Sequence, residues 1–489
     1  MSALFVVIKN AASTPTEMIP ILSMEIWRSW VLETCKTGGR VLALFAIPKK
    51  DPELRLFAVL GIDVKGEIRV AATDLPTNGL RYSSLTPEIP EVHLFERELA
   101  ENHGILCEGH PWLKPVRKLE GYPFYRFEGE EVHEVAVGPV HAGIIEPGHF
   151  RFQCHGEKVF NLEIQLGYQH RGVEKLMAAA KPSLCATLAE SIAGDTVLGH
   201  GLAYCHAIEG LCGKSVSQRA KRLRAIALEL ERLANHAGDL SALAGDIGFL
   251  PANAYFGRLR GEFLNLLMEI SGNRFGRSLV RPGGVLFDIA KESLANFQKR
   301  IAQAATEMKE VAELFFSTPS VLSRLEHTGS VSTGIAKDLG LVGPAARASN
   351  LLRDIRHDYP TGAYRFEYIP PMRLSSGDVY ARARIRSLES KKSLEFISEQ
   401  LKSLPLGKIF TPCHALNPSS FSVSLIEGWR GEIAHIVFTN EQGEITNYKI
   451  VDPSFHNWMA LAMAMREGQI SDFPLCNKSF NLSYAGHDL

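Results

Sequence analysis

A short segment, ESIAGDTVLGH, places an acid and a base in an otherwise apolar setting. Asp195 stands among Gly, Ala, Ile, Val and Leu, and His200 follows five residues later. An unpaired carboxylate that is removed from water costs several kcal/mol or takes up a proton. The segment therefore indicates either a polar active site or a core segment with one neutralised charge. We expect the partner of Asp195 to be Arg281, His200 or His170.

A second acid–base combination lies in IIEPGHFR, where Glu146 precedes a Pro-Gly turn and His149 follows it. Burial raises the pKa of a Glu towards neutrality, and a His titrates in the same range, so the two groups are suited to relaying protons. The alternative is a Glu that is simply exposed on a hairpin turn.

Further charged residues occur in two compact motifs. QHRGVEK contains His170, Arg171 and Glu174, which either form an ion-pair network that orients the following helix or belong to a proton path or a binding contact. In RPGG, Arg281 either holds a carboxylate near a cavity or braces a loop. For His200, the alternative to a functional role is a hydrogen-bonded core histidine.

Three more polar residues belong to a long helical pattern. These are His236, Asp239 and Asp246, which we expect on the helix surface or in caps, with a cavity as the alternative.

The eight cysteines are scattered and none forms a CxxC pair. Thiolate metal sites are usually built from close pairs, because two ligands on one turn converge on the ion without long loop closure. We therefore expect these cysteines to be small buried residues, and we predict no thiolate metal site.

Composition limits the class of protein. The chain has 489 residues, a formal charge of -1 and no apolar run long enough for a membrane-spanning helix. The near-neutral charge argues against nucleic acid as a partner, and no basic residue precedes the apolar N-terminal run, so a signal peptide is not expected. The sequence predicts a water-soluble, cytoplasmic chain that is able to dock on a membrane complex.

The elements that position these residues show two kinds of sequence pattern, which indicate two domains. Residues 1–130 contain short apolar runs bounded by Gly, Pro and Asp, namely GRVLALFAIP, LRLFAVLGID and GEIRVAATDLP, which predict strands in an α+β domain. The stretch from FERELAENHG to EEVHEV reads as an irregular connection to a second domain, 131–489.

The second domain opens with a predicted hairpin, FRFQC and VFNLEIQL, joined by HGEK. A long helix follows from SVSQRAK to SALAGDIGF, with Ser215 or Ser217 as its cap. ESLANFQKRIAQAATEMKEVAELFF predicts a second long helix, and ASNLLRDI the start of a shorter one. GWRGEIAHIVFTNEQGEITNYKIV predicts a C-terminal hairpin.

Five motifs in order carry a family resemblance that covers nearly the whole chain: GPVHAGIIEPGHFRF, LGYQHRGVEKLM, LELERLANH, LVRPGGV and IVDPSFHNW. They resemble the large subunit of group 4 (energy-converting) nickel-iron hydrogenases, of the hydrogenase-4/formate hydrogenlyase type, and the 49-kDa subunit of respiratory complex I. FERELAENHGI resembles the 30-kDa subunit of complex I. The resemblance implies a fused α+β chain with an N-terminal 30-kDa-like domain and a mainly helical large-subunit-like domain with peripheral antiparallel strands.

The resemblance also locates a metal site that this chain has altered. The family's two cysteine pairs align with Ala193 and Thr196 and with Ser483 and Gly486. Methyl, hydroxyl and glycine groups are poor substitutes for soft thiolates. We therefore expect no nickel-iron centre, no metal bound by these positions and no hydrogen activation.

Complex I suggests another use for the same cavity, because there it receives a quinone headgroup. The family's two headgroup contacts are a His in the hairpin loop and a Tyr after the EKL motif. Here the Tyr position falls near Pro182 and the His position near Pro147, with His141 and His149 close by. The resemblance leaves quinone open as the acceptor, with His141, His170 and Glu174 as binding residues.

The function implied is that of a large subunit in a membrane-associated oxidoreductase complex, peripheral to the cytoplasmic face of the inner membrane. An iron-sulfur cluster would lie in a small partner subunit, and antiporter-like membrane subunits and other hydrophilic subunits would complete the complex. By this resemblance Glu146 matches a proton-transferring Glu and His200 stands at the family's His position. With Asp195, His149 and Arg281 they are the predicted catalytic residues, and Asp195 is either a redox-linked proton acceptor or a structural plug for the empty metal site. The alternative is a non-catalytic scaffold that conveys conformational change.

Overall fold

The computed structural model describes residues 4–49, 53–75, 79–127, 129, 131–140 and 145–489. His141 lies outside the described residues. Helices and antiparallel sheets are both extensive, which confirms the α+β class.

The strands follow one another along the chain as β1 (Val6–Ile8), β2 (Ala12–Pro15), β3 (Ile21–Leu22), β4 (Arg40–Pro48), β5 (Leu54–Ile62), β6 (Glu67–Asp74), β7 (Arg81–Ser83), β8 (Leu106–Glu108), β9 (His133–Val137), β10 (His149–His155), β11 (Lys158–Gln165), β12 (Val280–Arg281), β13 (Gly284–Val285), β14 (Ser420–Gly428), β15 (Gly431–Thr439) and β16 (Ile445–Val451).

The helices are α1 (Met24–Lys36), α2 (His93–His103), α3 (Val173–Ala179), α4 (Pro182–Ala189), α5 (Val197–Cys212), α6 (Gln218–Asp246), α7 (Leu250–Ser271), α8 (Leu294–Ser317), α9 (Pro319–Leu325), α10 (Thr333–Asp338), α11 (Gly343–Ala348), α12 (Ile355–Asp358), α13 (Val379–Lys402), α14 (Pro453–Met465), α15 (Phe473–Phe480) and α16 (Tyr484–Asp488).

The first sheet has the order β1-β6-β5-β4, and β3 adds to β6 in parallel. Its three long strands are the apolar runs that the sequence predicted as strands. The stretch after them is less irregular than predicted, since FERELAENH forms α2. That helix buries seven consecutive residues, so it lacks the single apolar stripe by which amphipathic helices are identified.

The predicted hairpin of the second region is confirmed as β10 and β11, and β9 adds a third antiparallel strand. The predicted C-terminal hairpin is confirmed as β15 and β16. Those strands lie in a sheet of order β16-β15-β14-β2, where every residue of β14 and β15 is buried. The sheet therefore lies inside the molecule and takes its edge strand from the N-terminal segment.

The long predicted helices are confirmed as α6 and α8. Ser217 is the N-cap of α6, because its Oγ accepts a hydrogen bond from the backbone N–H of Ala220 at 3.2 Å. The prediction that ASNLLRDI begins a helix is wrong. Ala348 ends α11, Asn350 takes a left-handed backbone conformation with φ 70°, and the next helix begins at Ile355.

Five of the cysteines are buried, as expected, and Cys35, Cys212 and Cys413 are partly exposed. Among the described residues, no helix combines the length and the apolar character needed to cross a bilayer. The boundary between residues 130 and 131 stays a prediction, because the hydrophobic core around the first sheet also includes residues of β14, β15 and α14.

Candidate functional site

The loop between α4 and α5 carries Asp195 towards an open cleft. Its carboxylate forms two hydrogen bonds to the Arg430 guanidinium, at 2.6 and 2.7 Å. Burial opposes the charged carboxylate, but the Arg430 charge outweighs burial and lowers the pKa of Asp195. The expectation that Arg281, His200 or His170 neutralises Asp195 is therefore wrong. Arg430 is remote in sequence, and only the fold brings it to this loop.

Arg430 reaches the loop because it lies at the tip of the β14–β15 hairpin. Gly428 pairs with Gly431, so Trp429 and Arg430 form a two-residue turn. Gly431 has φ 134°, and a side chain there would collide with the backbone of Gly343. The buried Arg232 also holds the turn by donating to the carbonyl oxygens of β14. The guanidinium is thus fixed by a glycine-dependent turn and a second buried arginine.

The four positions where the resemblance places thiolates now serve other contacts. Ala193 is buried and offers no donor atom, and the Thr196 hydroxyl accepts hydrogen bonds from Trp429 and Arg430 at 3.1 and 3.2 Å. Ser483 caps α16, since its Oγ accepts the backbone N–H of Gly486 at 2.9 Å. These side chains do not fit a metal centre that depends on thiolate donors.

At Gly486, the fourth of these positions, the space for a side chain is already occupied. A Cβ atom at this position would lie 2.6 Å from both Cγ and Oδ2 of Asp452. The Asp452 carboxylate is itself held by His200, whose Nε2 lies 3.0 Å from Oδ2. A buried acid therefore occupies the direction in which a side chain at position 486 would extend.

His200 belongs to a buried chain of hydrogen bonds. Its Nδ1 lies 3.1 Å from Nε2 of His435, and Nδ1 of His435 lies 2.8 Å from the Tyr448 hydroxyl. Burial lowers the pKa of His435, so that ring stays neutral. These contacts are compatible with a chain in which Tyr448 donates to His435, His435 to His200, and His200 to Asp452.

Glu146 also faces the cleft. Its Oε2 accepts the backbone N–H of Tyr484 at 3.2 Å. Burial raises the pKa of Glu146, Asp195 raises it further, and Arg430 partly opposes the change. Burial likewise raises the pKa of Tyr484 to about 12, so its phenol stays protonated at neutral pH. The cleft therefore has two groups able to carry a proton.

The cleft has a volume of about 570 Å³, which is within the usual range for ligand pockets. Its lining includes Glu146, Asp195, Asp239, Arg260, Arg430, Lys478 and Tyr484. Acids, bases and a phenol thus converge on one space, and apolar side chains such as Leu482 complete it.

The other predicted site residues lie around this cleft and do not line it. Nδ1 of His149 lies 3.0 Å from the Gly138 carbonyl oxygen, and His149 forms no hydrogen bond to Glu146 in the described part of the chain. Nδ1 of His170 lies 2.7 Å from the Asp488 carbonyl oxygen. Glu174 pairs with Lys449 at 3.0 Å.

Arg171 joins the two segments that carry the altered ligand positions. It donates to the carbonyl oxygens of Ser191 and Ile192 at 2.7 and 2.8 Å, and to that of Ala485 at 3.2 Å. Its contribution is therefore to the geometry of the site.

Arg281 pairs with Glu190 at 2.5 Å, at the start of the loop that holds Asp195. This contact matches the alternative in which Arg281 holds a carboxylate, and it also braces the loop, since Glu190 accepts the backbone N–H of Ser278 at 2.9 Å.

The three polar residues of α6 have different positions. Asp239 is buried, pairs with Arg386 at 2.5 Å and lines the cleft, so the cavity alternative holds for it. His236 is buried, with Nε2 2.9 Å from Glu389. Asp246 forms an ion pair with Lys478 at the end of the helix.

Sequence reasoning missed four residues that shape the site: Arg430, Asp452, Glu190 and Tyr484. Glu190 and Tyr484 are adjacent to the altered ligand positions, which was the available signal. Arg430 stands in a hairpin turn between two strands, where polar residues are ordinary. Asp452 belongs to the IVDPSFHNW motif, but an Asp before a Pro also suits the N-cap of a helix, which it is for α14. In the part of the chain that is described, no three His, Cys, Asp or Glu side chains are grouped to hold a metal ion.

Comparisons with known proteins agree on one kind of relative. The family described as respiratory-chain NADH dehydrogenase, 49 Kd subunit, matches residues 246–421. Formate hydrogenlyase subunit 5 of Escherichia coli strain K12 is 29% identical over 490 residues, 93% of this chain and 85% of that protein. Carbon monoxide-induced hydrogenase of Rhodospirillum rubrum is 30% identical over 352 residues, 71% of this chain and 97% of that protein. NADH-quinone oxidoreductase subunit 4 of Thermus thermophilus is 29% identical over 370 residues, 70% of this chain and 90% of that protein.

Proposed function

Because the chain belongs to the family of large subunits that group 4 nickel-iron hydrogenases share with respiratory complex I, we propose that it works in an energy-converting redox complex without a nickel-iron centre. Membership of this family confirms the resemblance seen in the sequence. In the proposed complex, electrons arrive through an iron-sulfur cluster of a small partner subunit. Their transfer is coupled to translocation of protons or another ion by antiporter-like membrane subunits.

Two observations support the proposal that the chain lacks the metal centre. The positions of the four thiolates carry a methyl group, two hydroxyls that already accept hydrogen bonds, and a glycine. Beside that glycine, the Asp452 carboxylate stands 2.6 Å from where a Cβ would lie. Restoring a cysteine at position 486 would therefore also require Asp452 to move.

The observation that carries the redox proposal is the cleft beside Asp195. A scaffold that only transmits movement has no need of an open space, whereas this cleft holds about 570 Å³ next to Asp195, Arg430 and Glu146. The space is sufficient for a planar ring such as a quinone headgroup. Quinone is therefore kept as the proposed acceptor, and it requires two electrons and two protons to become quinol.

The residues of this chain have separate parts in the proposed reaction. Burial raises the pKa of Glu146 and so favours its protonated carboxyl group, which makes Glu146 a suitable proton donor to an acceptor in the cleft. The Arg430 guanidinium supplies a fixed positive charge where electron transfer produces a negative one. Asp195 orients that guanidinium through two hydrogen bonds, so it is a positioning residue.

The metal content can be tested on the complex purified through a tag on this chain. We expect iron, contributed by the partner's cluster, and no stoichiometric nickel. Nickel at one atom per chain would contradict the proposal.

The role of the cleft is tested by Asp195→Asn in the same complex, assayed with a soluble quinone. The substitution removes the charge that pairs with Arg430 and weakens the two hydrogen bonds that orient its guanidinium, so we expect quinone reduction to fall at least about tenfold, equivalent to about 1.4 kcal/mol. Asp288→Asn is the matched control. Asp288 also forms two hydrogen bonds to an arginine, Arg219, but does not line the cleft. Equal turnover in both variants would favour the scaffold alternative.

A further inference from the structure

One arginine of the cleft has no partner. Arg260 of α7 lines the cleft and is exposed, and it forms no hydrogen bond or ion pair among the described residues. A guanidinium stays charged at neutral pH and has five N–H donors but no acceptor. The charge and the donors of Arg260 are therefore available to a ligand in the cleft.

The other charged side chains of the lining are already balanced. Three of them belong to ion pairs, which are Arg430 with Asp195, Lys478 with Asp246, and Asp239 with Arg386. Burial raises the pKa of Glu146, which favours its uncharged form. In the described part of the lining, Arg260 therefore adds a positive charge that no carboxylate offsets.

Arg430 cannot take over the binding of an anion, because its donors are in use. Its Nε donates to the Asn481 carbonyl oxygen at 2.5 Å, and its two terminal nitrogens donate to the Asp195 carboxylate. A ligand could pair with this guanidinium only by displacing Asp195. Direct contact with an anionic group is thus left to Arg260.

The packing of α6 against α7 gives Arg260 its position. Asn253 of α7 donates to the Ser241 carbonyl oxygen of α6 at 2.9 Å and accepts the Ser241 hydroxyl on its own carbonyl oxygen at 2.8 Å. Arg260 follows Asn253 by about two helical turns, so it lies on the same face of α7. A Cβ at Gly238 of α6 would lie 2.9 Å from Cδ and 3.0 Å from Nε of Arg260. The missing side chain of Gly238 therefore leaves the room that the arginine stem occupies.

We propose that the acceptor bound in the cleft is a planar molecule with an anionic substituent, such as a carboxylate, that pairs with Arg260. A carboxylate matches the guanidinium through two parallel hydrogen bonds, which are stronger than hydrogen bonds between neutral groups. The ring of the same molecule lies in the space beside Arg430 and Glu146. The inference rests on the proposed function, because it takes the cleft as the acceptor site, and it narrows the acceptor from quinones in general to anionic ones.

The test measures binding to the purified, oxidised complex by calorimetric titration, without an electron donor. The probes are anthraquinone-2-carboxylate and anthraquinone-2-carboxamide, which share one ring system and nearly one shape but differ in charge. We expect the carboxylate to bind at least about tenfold more tightly than the amide, because only the carboxylate forms a charge-assisted pair with Arg260.

Three variants of the chain locate this preference. Arg260→Gln removes the charge, so the two probes should bind with about equal affinity. Gly238→Ala keeps every charge but places a methyl group against the Arg260 stem, so the preference should also fall. That variant should fold, since alanine is favoured over glycine inside a helix. Arg258→Gln is the matched control, because Arg258 is also exposed on α7 but pairs with Glu307 and does not line the cleft. It should keep the full preference.

Three results would overturn the inference: equal affinity of the two probes for the original complex, no measurable binding of either probe, or an unchanged preference in Arg260→Gln. Reduction of neutral soluble quinones tests the proposed function separately. If the carboxylate is preferred through Arg260 but no quinone is reduced, the proposed function fails and the anion site stands. If neutral quinones are reduced and the two probes bind equally, only the anion site fails.

Discussion

Asp452 and Gly486 form a close-packed pair at the scale of single residues. The acid and the missing side chain are complementary, because a Cβ at position 486 would overlap the Asp452 carboxylate. His200 holds that carboxylate in place through Nε2. A residue that the sequence assigned to a vacated metal position is thus part of a packed and hydrogen-bonded interior.

Substitution of this glycine should be costly. In Gly486→Ala the new methyl group overlaps Asp452, and we expect a loss of about 1–3 kcal/mol in the free energy of unfolding. Gly194→Ala is the matched control, since a Cβ there meets nothing within 4 Å, and its effect should stay within about 0.5 kcal/mol. Denaturant unfolding of both variants measures the difference. Equal stabilities would show that Asp452 does not fill this space.

Glu231 predicts how the free energy of unfolding depends on pH. Its buried carboxyl group accepts the backbone N–H groups of Leu198 and Gly199 at 2.7 and 3.0 Å, and burial raises its pKa to about 8. The unfolded value is about 4.3. Between these values the folded chain binds more protons than the unfolded chain. The contribution of Glu231 to stability is therefore complete below the unfolded pKa and falls as pH rises towards the folded pKa.

Glu231→Gln removes this titration. The free energy of unfolding of the original chain, relative to the variant, should therefore decrease between about pH 5 and pH 8, by up to about 1.4 kcal/mol for each pH unit. Denaturant titrations at several pH values give the two profiles. Parallel profiles would contradict the raised pKa.

At the scale of elements, α6 offers a choice that the sequence left open. Ser217 caps the helix, whereas the Ser215 hydroxyl makes only a weak contact with the Val216 carbonyl oxygen at 3.5 Å. Ser217→Ala should therefore lower the free energy of unfolding by about 1 kcal/mol. Ser215→Ala should change it by less than about 0.5 kcal/mol. Thermal or denaturant unfolding distinguishes them, and a larger effect at Ser215 would reverse the assignment.

Elements whose apolar residues follow one clear pattern along the sequence were predictable. β4, β5 and β6 follow apolar runs between turn residues, and α6 and α8 follow helical stripes. The predictions failed where the local pattern was ambiguous. α2 is buried nearly all round, and ASNLLRDI looks helical although Asn350 breaks the helix with a positive φ. In both places tertiary contacts override the local preference.

At the scale of the whole molecule, the N-terminal region is joined to the C-terminal sheet. β2 pairs with β14, and Arg40 binds Glu432 of β15 at 2.5 Å. The ring of Phe438 packs against Phe45 and Phe57, with centroids 6.1 and 5.1 Å apart. The hydrophobic core is therefore shared between the two predicted domains.

A shared core predicts cooperative unfolding. Calorimetry of the full chain should show one main transition, with the calorimetric and van't Hoff enthalpies close to each other. Phe438→Ala, expected to cost about 3–5 kcal/mol, should shift that transition as a whole. Two separate transitions, only one of which moves, would show that residues 1–130 unfold as an independent unit.

The sequence by itself determined the α+β class, the long helices, the hairpins and the family, because these depend on local periodicity and on ordered motifs. It also carries no cysteine at the four positions that the resemblance aligns with the ligand thiolates. Tertiary structure decided which charge meets Asp195 and what fills the space beside Gly486. Those contacts join residues up to 235 positions apart, and side-chain pairing over such distances is set by the packing of sheets and helices, which no local pattern encodes.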